Sequence, residues 1–133
     1  MPSTQRCAGA VVLDGARRLL VVRRAHDPGR GLWTVPGGRC LDGESTRDAC
    51  IREVREETGL DVVISRELGR VSRAGPPGVV YDIVDYECSV AAGALQAGDD
   101  AAEVRWVSRA ELDTLPMIEQ LRDYLVAHDV LPD

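Results

Sequence analysis

Apolar and polar positions in the N-terminal part of the chain predict strands separated by turns. The stretch GAVVLDGARRLLVVRRA, residues 9–25, holds two apolar runs around Asp14-Gly15, a dipeptide that favours a turn. It predicts two strands joined as a hairpin with a slightly extended loop. The following HDPGRGLW is rich in glycine and proline and predicts an exposed loop, and WTVPGG predicts a short strand that runs into a glycine turn.

Residues Glu44 to Thr58 favour a helix with recognisable signals at both ends. Ser45 and Asp48 resemble a capping box, and Gly59 stands where a left-handed C-terminal cap belongs. The helix has one narrow apolar face, made by Ala49, Cys50 and Val54. Its acidic residues therefore lie on another face.

The C-terminal half alternates between strand and helix patterns. LDVVISRELGRV, VVYDIVDYECSV and EVRWVS predict strands, and Ser108 with Glu111 forms a capping-box pattern that opens a short helix. The second of these strands has one shared face, made by Val80, Val84, Tyr86, Cys88 and Val90. A final amphipathic helix is predicted from the helical spacing of Leu115, Ile118, Leu121 and Leu125. This order predicts one α/β (α+β) domain over residues 1–133, with a mixed sheet between helices.

Composition narrows the functional classes. The formal net charge of −6 argues against nonspecific binding to nucleic acid or to an anionic membrane, because both need a basic face. The four cysteines show no C-x-x-C spacing and the two histidines stand far from them, so no zinc site is expected. The N-terminus lacks a long apolar run and no stretch approaches transmembrane length. We therefore expect reduced thiols and a cytoplasmic protein.

Three carboxylates are concentrated on one side of the predicted helix. Glu53 and Glu57 are four residues apart and Glu53 and Glu56 are three apart, so all three share a face. Like charges at this spacing repel each other, and they stay ionised together only near a cation. Carboxylate oxygens at this density suit Mg²⁺ or Mn²⁺, which also bind substrate phosphates.

A solvated acidic face is the alternative interpretation of the same helix. In that case the glutamates pair with nearby arginines, namely Arg47, Arg52 and Arg55. Arg52 can reach Glu56 one turn later or brace Glu44. Gly37 and Gly38 favour the metal site, because they let backbone approach a ligand closely and can offer a carbonyl oxygen.

The segment from Gly38 to Leu60 resembles the Nudix box, G-x5-E-x7-R-E-U-x-E-E-x-G-U with U aliphatic, at every defined position. Those positions are Gly38, Glu44, Arg52, Glu53, Val54, Glu56, Glu57, Gly59 and Leu60. The flanking LLVVRR, GLWTVPGG and DDAAEVRWVSRAEL also resemble the family, so the resemblance covers nearly the whole chain.

The resemblance implies an α/β/α sandwich around a mixed central β-sheet. It implies hydrolysis of nucleoside diphosphate derivatives with Mg²⁺ or Mn²⁺. Glu53, Glu56 and Glu57 are then the metal ligands, with a backbone carbonyl from Gly37 or Gly38. Arg52 and Glu44 are then the pair that orients those carboxylates.

The resemblance leaves the general base and the substrate open. Glu53 is the first candidate base, and among Asp99, Asp100 and Glu103 in the later acidic loop Asp100 is favoured. Pro76 favours ADP-ribose-like substrates weakly, and the compact length also fits enzymes that cleanse oxidised nucleoside triphosphates. Base stacking is a further hypothesis for Trp33, Tyr81 and Tyr86, and phosphate contact for Arg23, Arg24, Arg30 and Arg39.

We keep as an alternative function a domain that senses nucleotide without hydrolysing it. The expected partner is a small nucleotide in either case, and a homodimer is compatible with the apolar strands.

Overall fold

The computed structural model describes all residues from 1 to 133. Seven strands and three helices follow the chain order β1 (Ser3–Val12), β2 (Leu19–Arg24), β3 (Trp33–Thr34), β4 (Gly37–Arg39), α1 (Thr46–Thr58), β5 (Leu60–Ala74), β6 (Val79–Gly93), β7 (Ala101–Val107), α2 (Arg109–Leu112) and α3 (Leu121–Ala127). None of these helices is long and apolar enough to cross a bilayer.

The strands form two sheets. The larger sheet has the order β4-β1-β6-β5, and it is mixed because β1 and β6 run parallel while the other pairs are antiparallel. The smaller sheet has the order β3-β2-β7 and is antiparallel throughout. The predicted mixed sheet is therefore confirmed, with the strands divided between two sheets rather than gathered in one.

The predicted hairpin of the first two strands is wrong beyond its turn. The turn itself forms, since the Asp14 carboxylate accepts hydrogen bonds from the backbone N–H groups of Ala16 and Arg18 at 3.0 and 2.8 Å. Beyond the turn, the two strands share only the bridge between Leu13 and Leu19, and they then continue in different sheets. The reason is that β4 and β6 occupy both edges of β1, which leaves no edge for β2.

Helix α1 has the predicted caps and begins two residues later than predicted. Ser45 Oγ accepts the N–H of Asp48 at 3.1 Å, which forms one half of the predicted capping box. Gly59 has φ 77°, and its N–H donates to the Arg55 carbonyl at 2.9 Å. The predicted apolar face is buried in a core against the inner face of the larger sheet.

The predicted final helix begins only at Leu121, so the prediction from Leu115 onward is wrong. Gln120 has φ 71°, which interrupts helical geometry immediately before the helix. The residues before it pair with β3 instead: Trp33 N–H donates to the Pro116 carbonyl at 2.8 Å, and Ile118 N–H donates to the Trp33 carbonyl at 2.9 Å. The second capping box, between Ser108 and Glu111, forms with both hydrogen bonds at α2.

The two sheets and three helices enclose two cores. One core lies between α1 and the face of the larger sheet that carries Val84, Tyr86 and Cys88. The other core joins the smaller sheet to α2 and α3. Of the predicted β6 face, Val80 is partly exposed and Val90 is exposed, because α1 covers only the middle of the strand. This arrangement of helices on both sides of a mixed sheet is the predicted α/β/α sandwich.

Candidate active site

The glycines of β4 let the acidic helix approach the larger sheet closely. A Cβ atom placed on Gly38 would lie 2.6 Å from the carboxyl carbon of Glu53, closer than van der Waals contact allows. Gly38 pairs with Ala8 of β1, so its position is fixed by the sheet. The sequence therefore needs glycine here for the Glu53 carboxylate to lie against the strand.

Arg52 connects the acidic residues of the site. Its Nε and Nη2 donate to both carboxylate oxygens of Glu44 at 2.8 and 2.9 Å, and Nη2 also donates to the Arg39 carbonyl at 3.0 Å. Its Nη1 donates to Glu53 at 2.9 Å and to Glu56 at 3.1 Å. Both contacts predicted for Arg52, with Glu44 and with Glu56, are present. The hydrogen bonds from Arg52 and from the Leu41 N–H lower the pKa of Glu44 to about 2.

Glu57 lies at the free edge of β4. The backbone N–H of Gly37 donates to Glu57 Oε2 at 2.9 Å. Burial raises the pKa of Glu57 to about 8, and the negative charges of Glu53 and Asp100 add to this rise. Burial also raises the pKa of Glu53, against the opposing effect of Arg52. Two neighbouring, partly desolvated carboxylates with raised pKa values favour the presence of a cation.

The oxygen atoms of the site are of the kind that Mg²⁺ and Mn²⁺ bind. Their present positions do not form a complete coordination shell. Glu53 and Glu57 supply hard oxygen atoms beside the Gly38 cradle. No group of three Asp, Glu, His or Cys side chains stands at metal-binding distances in the structure. Glu56 is held by Arg52 and has 57% of its side chain exposed, so it must turn from Arg52 to join a metal ion.

Among the acids of the later loop, Asp100 faces the cluster. Its charge contributes to the raised pKa values of Glu53 and Glu57, and His26 Nε2 lies 3.8 Å from its carboxylate. Glu103 is instead paired with Arg23 and Arg105, each at 3.6 Å. The structure gives Asp99 no ion pair or side-chain hydrogen bond. Of the three acids, Asp100 is thus the one whose charge reaches Glu53 and Glu57, and its role as a base stays a prediction.

The other candidate ligand-binding residues divide between surface and core. Trp33 and Tyr86 are buried, with Arg105 over the first ring and Arg47 over the second, so neither ring is free to stack on a base. Tyr81 is partly exposed on β6. Arg24 lies near enough to Glu57 to oppose the rise in its pKa, and its Nε donates to the Pro28 carbonyl at 2.6 Å.

Two residues near the site were not identified from sequence. Gly9 packs on Gly37, where a Cβ atom on Gly37 would lie 2.9 Å from the Gly9 Cα. Asp85 is buried on β6. In the sequence, Asp85 is distinguished only as an acid within an apolar strand pattern. Gly9 is distinguished only as a glycine within an apolar run.

A mixed α/β/α fold with an acidic helix packed on a glycine strand defines the class of this protein. The family model of the NUDIX domain matches residues 3–128, which is nearly the whole chain. The chain therefore belongs to the Nudix hydrolase family.

Relatives and solved structures agree with this family. The chain is 34% identical over 124 residues to an ADP-ribose pyrophosphatase of Methanocaldococcus jannaschii, covering 87% of this chain and 73% of that one. It is 34% identical over 106 residues to a Bacillus subtilis protein named provisionally as an 8-oxo-dGTP diphosphatase, covering 79% and 67%. The fold matches a MutT protein from Methanosarcina mazei with a TM-score of 0.82 at 23% identity, over 96% of this chain and 94% of that one.

Proposed function

We propose that this chain hydrolyses the pyrophosphate bond of nucleoside diphosphate derivatives with the aid of Mg²⁺ or Mn²⁺. The observation that carries the proposal is the pair of partly desolvated carboxylates, Glu53 and Glu57, held against Gly38 and Gly37 at the edge of the larger sheet. Carboxylates kept in such a place are stabilised by a cation more than by solvent. The family relationship supports the same chemistry.

Glu53, Glu56 and Glu57 would hold the metal, and a glycine carbonyl from Gly37 or Gly38 would complete the protein's share of ligands. A bound divalent cation supplies charge neutralisation for the diphosphate and for the leaving oxygen. Arg52 contributes by fixing one carboxylate oxygen of Glu53 and by holding the segment before α1 through Glu44. We propose that this bracing role is what Arg52 and Glu44 supply.

A carboxylate takes the proton of the attacking water. Glu53 is the first candidate, because burial already favours its protonated form. Asp100 is the second candidate, because it faces the same cluster from the loop before β7 and has 85% of its side chain exposed to incoming water. The variants Glu53→Gln and Asp100→Asn distinguish the two candidates. The variant that lacks the base is the one whose loss in turnover becomes smaller as pH rises.

ADP-ribose-like compounds lead the proposed substrates, and nucleoside triphosphates follow. The M. jannaschii relative carries the first activity in its name and the B. subtilis relative carries the second. Both align over most of this chain, so they favour the shared diphosphate chemistry more strongly than either substrate.

The proposal also includes a cytoplasmic location and assembly as a homodimer.

A substrate panel tests this function. The purified protein is incubated with Mg²⁺ or Mn²⁺ and with ADP-ribose, dinucleoside polyphosphates, and normal and oxidised dNTPs, and the products are identified by mass. We expect turnover of at least one compound at a pyrophosphate bond. Glu57→Gln should reduce that turnover by about a hundredfold or more while the protein stays folded. Glu67→Gln, which alters an exposed glutamate of β5, is the matched control and should leave turnover unchanged.

Two results would contradict the proposal. Unaltered turnover in Glu57→Gln would reject the site assignment. Tight nucleotide binding with no hydrolysis of any compound would instead favour the alternative of a sensing domain.

A further inference from the structure

The loop between β6 and β7, residues 94–100, is bound to the C-terminal end of α1. The last carbonyl groups of a helix have no partner within the helix, so another segment must supply the donors. The backbone N–H of Gln96 donates to the Thr58 carbonyl at 2.8 Å. The backbone N–H of Gly98 donates to the Glu57 carbonyl at 2.9 Å. The loop is therefore attached to the helix end that carries one of the candidate metal ligands.

Gly98 is the point at which this loop meets the helix most closely. A Cβ atom on Gly98 would collide with the Glu56 carbonyl oxygen and would lie 3.3 Å from the Cα of Glu57. Every other residue from 94 to 100 is exposed. Because the atoms in the way belong to the helix backbone, they cannot turn aside as a flexible side chain would. Any side chain at position 98 must therefore move the exposed loop away from α1.

Asp100 lies two residues beyond Gly98, in a turn that is held at both ends. The N–H of Ala101 donates to the Gly98 carbonyl at 3.2 Å, which closes a four-residue turn with Asp99 and Asp100 at its centre. Ala101 then pairs with Arg24 of β2. The backbone of Asp100 is thus placed between a contact with α1 and a contact with β2.

The charge of Asp100 reaches the acidic cluster from this turn. Burial is the main cause of the raised pKa values of Glu53 and Glu57, and the charge of Asp100 adds to both. The Asp100 side chain is 85% exposed, and its one ion-pair partner is His26 at 3.8 Å. No hydrogen bond fixes this carboxylate, so its distance from the cluster depends on where the turn holds its backbone.

We propose that Gly98 is a positioning residue, which holds the turn of Asp100 close enough to Glu53 and Glu57 for the Asp100 carboxylate to take part in the site. The inference rests on the proposed function, because it needs a cation and a reacting water beside Glu53 and Glu57. A displacement of about 1 Å at a reacting group can lower a rate by on the order of a hundredfold. The close approach of Gly98 to α1 is the contact that prevents such a displacement here.

A double-mutant cycle with Gly98→Ala and Asp100→Asn tests the inference on turnover. Gly98→Ala should lower kcat by about tenfold and change KM by less than about twofold, because Gly98 acts on the reacting groups through Asp100. In the Asp100→Asn background the same substitution should lower kcat by less than about twofold, because the carboxylate that it displaces is already absent. Ala97→Ser adds an atom to the exposed neighbour of Gly98 and is the control, which should keep wild-type turnover.

Two measurements test the same inference without turnover. Calorimetry with Mn²⁺ should show weaker binding by a few-fold in Gly98→Ala and in Asp100→Asn, since either change takes one negative charge from the cation, and the double variant should bind no more weakly than Asp100→Asn. Hydrogen exchange of the Gln96 amide reports whether the loop stays bound to α1. This amide should be protected in the wild-type protein and in Ala97→Ser, and it should exchange faster in Gly98→Ala.

Three results would overturn the inference. An equal loss of kcat from Gly98→Ala in both backgrounds would show that the loop acts on α1 and not through Asp100. Wild-type protection of the Gln96 amide in Gly98→Ala would show that Gly98 does not hold the loop. Wild-type kcat and Mn²⁺ affinity in Asp100→Asn would leave nothing for Gly98 to position. Absence of hydrolysis by the wild-type protein rejects the proposed function alone, and the Mn²⁺ affinities and exchange rates then decide the inference.

Discussion

At the residue scale, the candidate site depends on the contacts of one arginine, Arg52. Arg52 touches three carboxylates and one carbonyl, and its guanidinium is held by Glu44 through two parallel hydrogen bonds. This planar, bidentate arrangement is specific to arginine, because a lysine ammonium is a single point charge. The sequence indicated the contacts with Glu44 and Glu56, because these residues belong to one continuous segment with fixed spacing, and it did not indicate the contacts with Glu53 and the Arg39 carbonyl.

Arg52→Lys should therefore lower turnover while keeping the positive charge. The expected loss is about tenfold to a hundredfold, because the lysine cannot hold Glu44 and Glu53 at the same time. The measurement is kcat/KM for the best substrate of the panel. Arg66→Lys, at an arginine paired with Glu87 on the far strands of the sheet, is the control. Equal activity of both variants with wild type would show that the bidentate contact is dispensable.

Asp85 could not be identified from sequence as a buried acid, because its surroundings come from three strands and a helix far apart in the chain. Its stability effect is testable without any ligand. The pKa of Asp85 is raised by burial, so the folded state favours the protonated acid and loses stability as pH rises through that pKa. Asp85→Asn should thus be more stable than wild type at pH 7, by thermal unfolding. The difference should shrink as pH falls towards 4, and a variant less stable at pH 7 would contradict this account.

At the element scale, the sequence predicted the ends of those helices whose capping residues lie next to them in the chain. The caps of α1 and α2 formed from the residues predicted. The remaining structure was decided by contacts between segments remote in sequence. Strand β2 joins the smaller sheet because both edges of β1 are filled, and residues 116–118 pair with β3 instead of extending α3. Neither outcome can be read from a periodic pattern, because the competing partner is remote in sequence.

The contact between β4 and α1 is the element-scale feature with the sharpest test. Gly38→Ala adds a Cβ atom 2.6 Å from the Glu53 carboxyl carbon, so either the strand or the carboxylate must move. We expect a fall in turnover of about tenfold or more, with the metal concentration for half-maximal activity raised. Gly15→Ala is the control, since a Cβ atom there meets nothing within 4 Å. If Gly38→Ala behaves like Gly15→Ala, the Glu53 carboxylate is not confined as described.

At the scale of the whole molecule, the candidate site lowers the free energy of unfolding, because it holds acidic groups close together and partly out of water. Glu53 and Glu57 lie partly out of water beside two further negative groups, Glu56 and Asp100. A cation that binds this native arrangement and not the unfolded chain raises the free energy of unfolding. The increase is about 2.7 kcal/mol at a metal concentration one hundred times Kd.

Mn²⁺ should therefore raise the Tm of the protein by several degrees, and chelation should return it to the metal-free value. The measurement is thermal unfolding over a series of MnCl₂ concentrations, with NaCl added to keep ionic strength constant. Glu57→Gln removes a buried ionisable group from the cluster, so its metal-free Tm should equal or exceed that of wild type, and its response to Mn²⁺ should be much smaller. Because the two effects have opposite signs, they separate a metal site from a generally acidic surface. An equal rise in Tm for both proteins would place the bound ion elsewhere on the molecule.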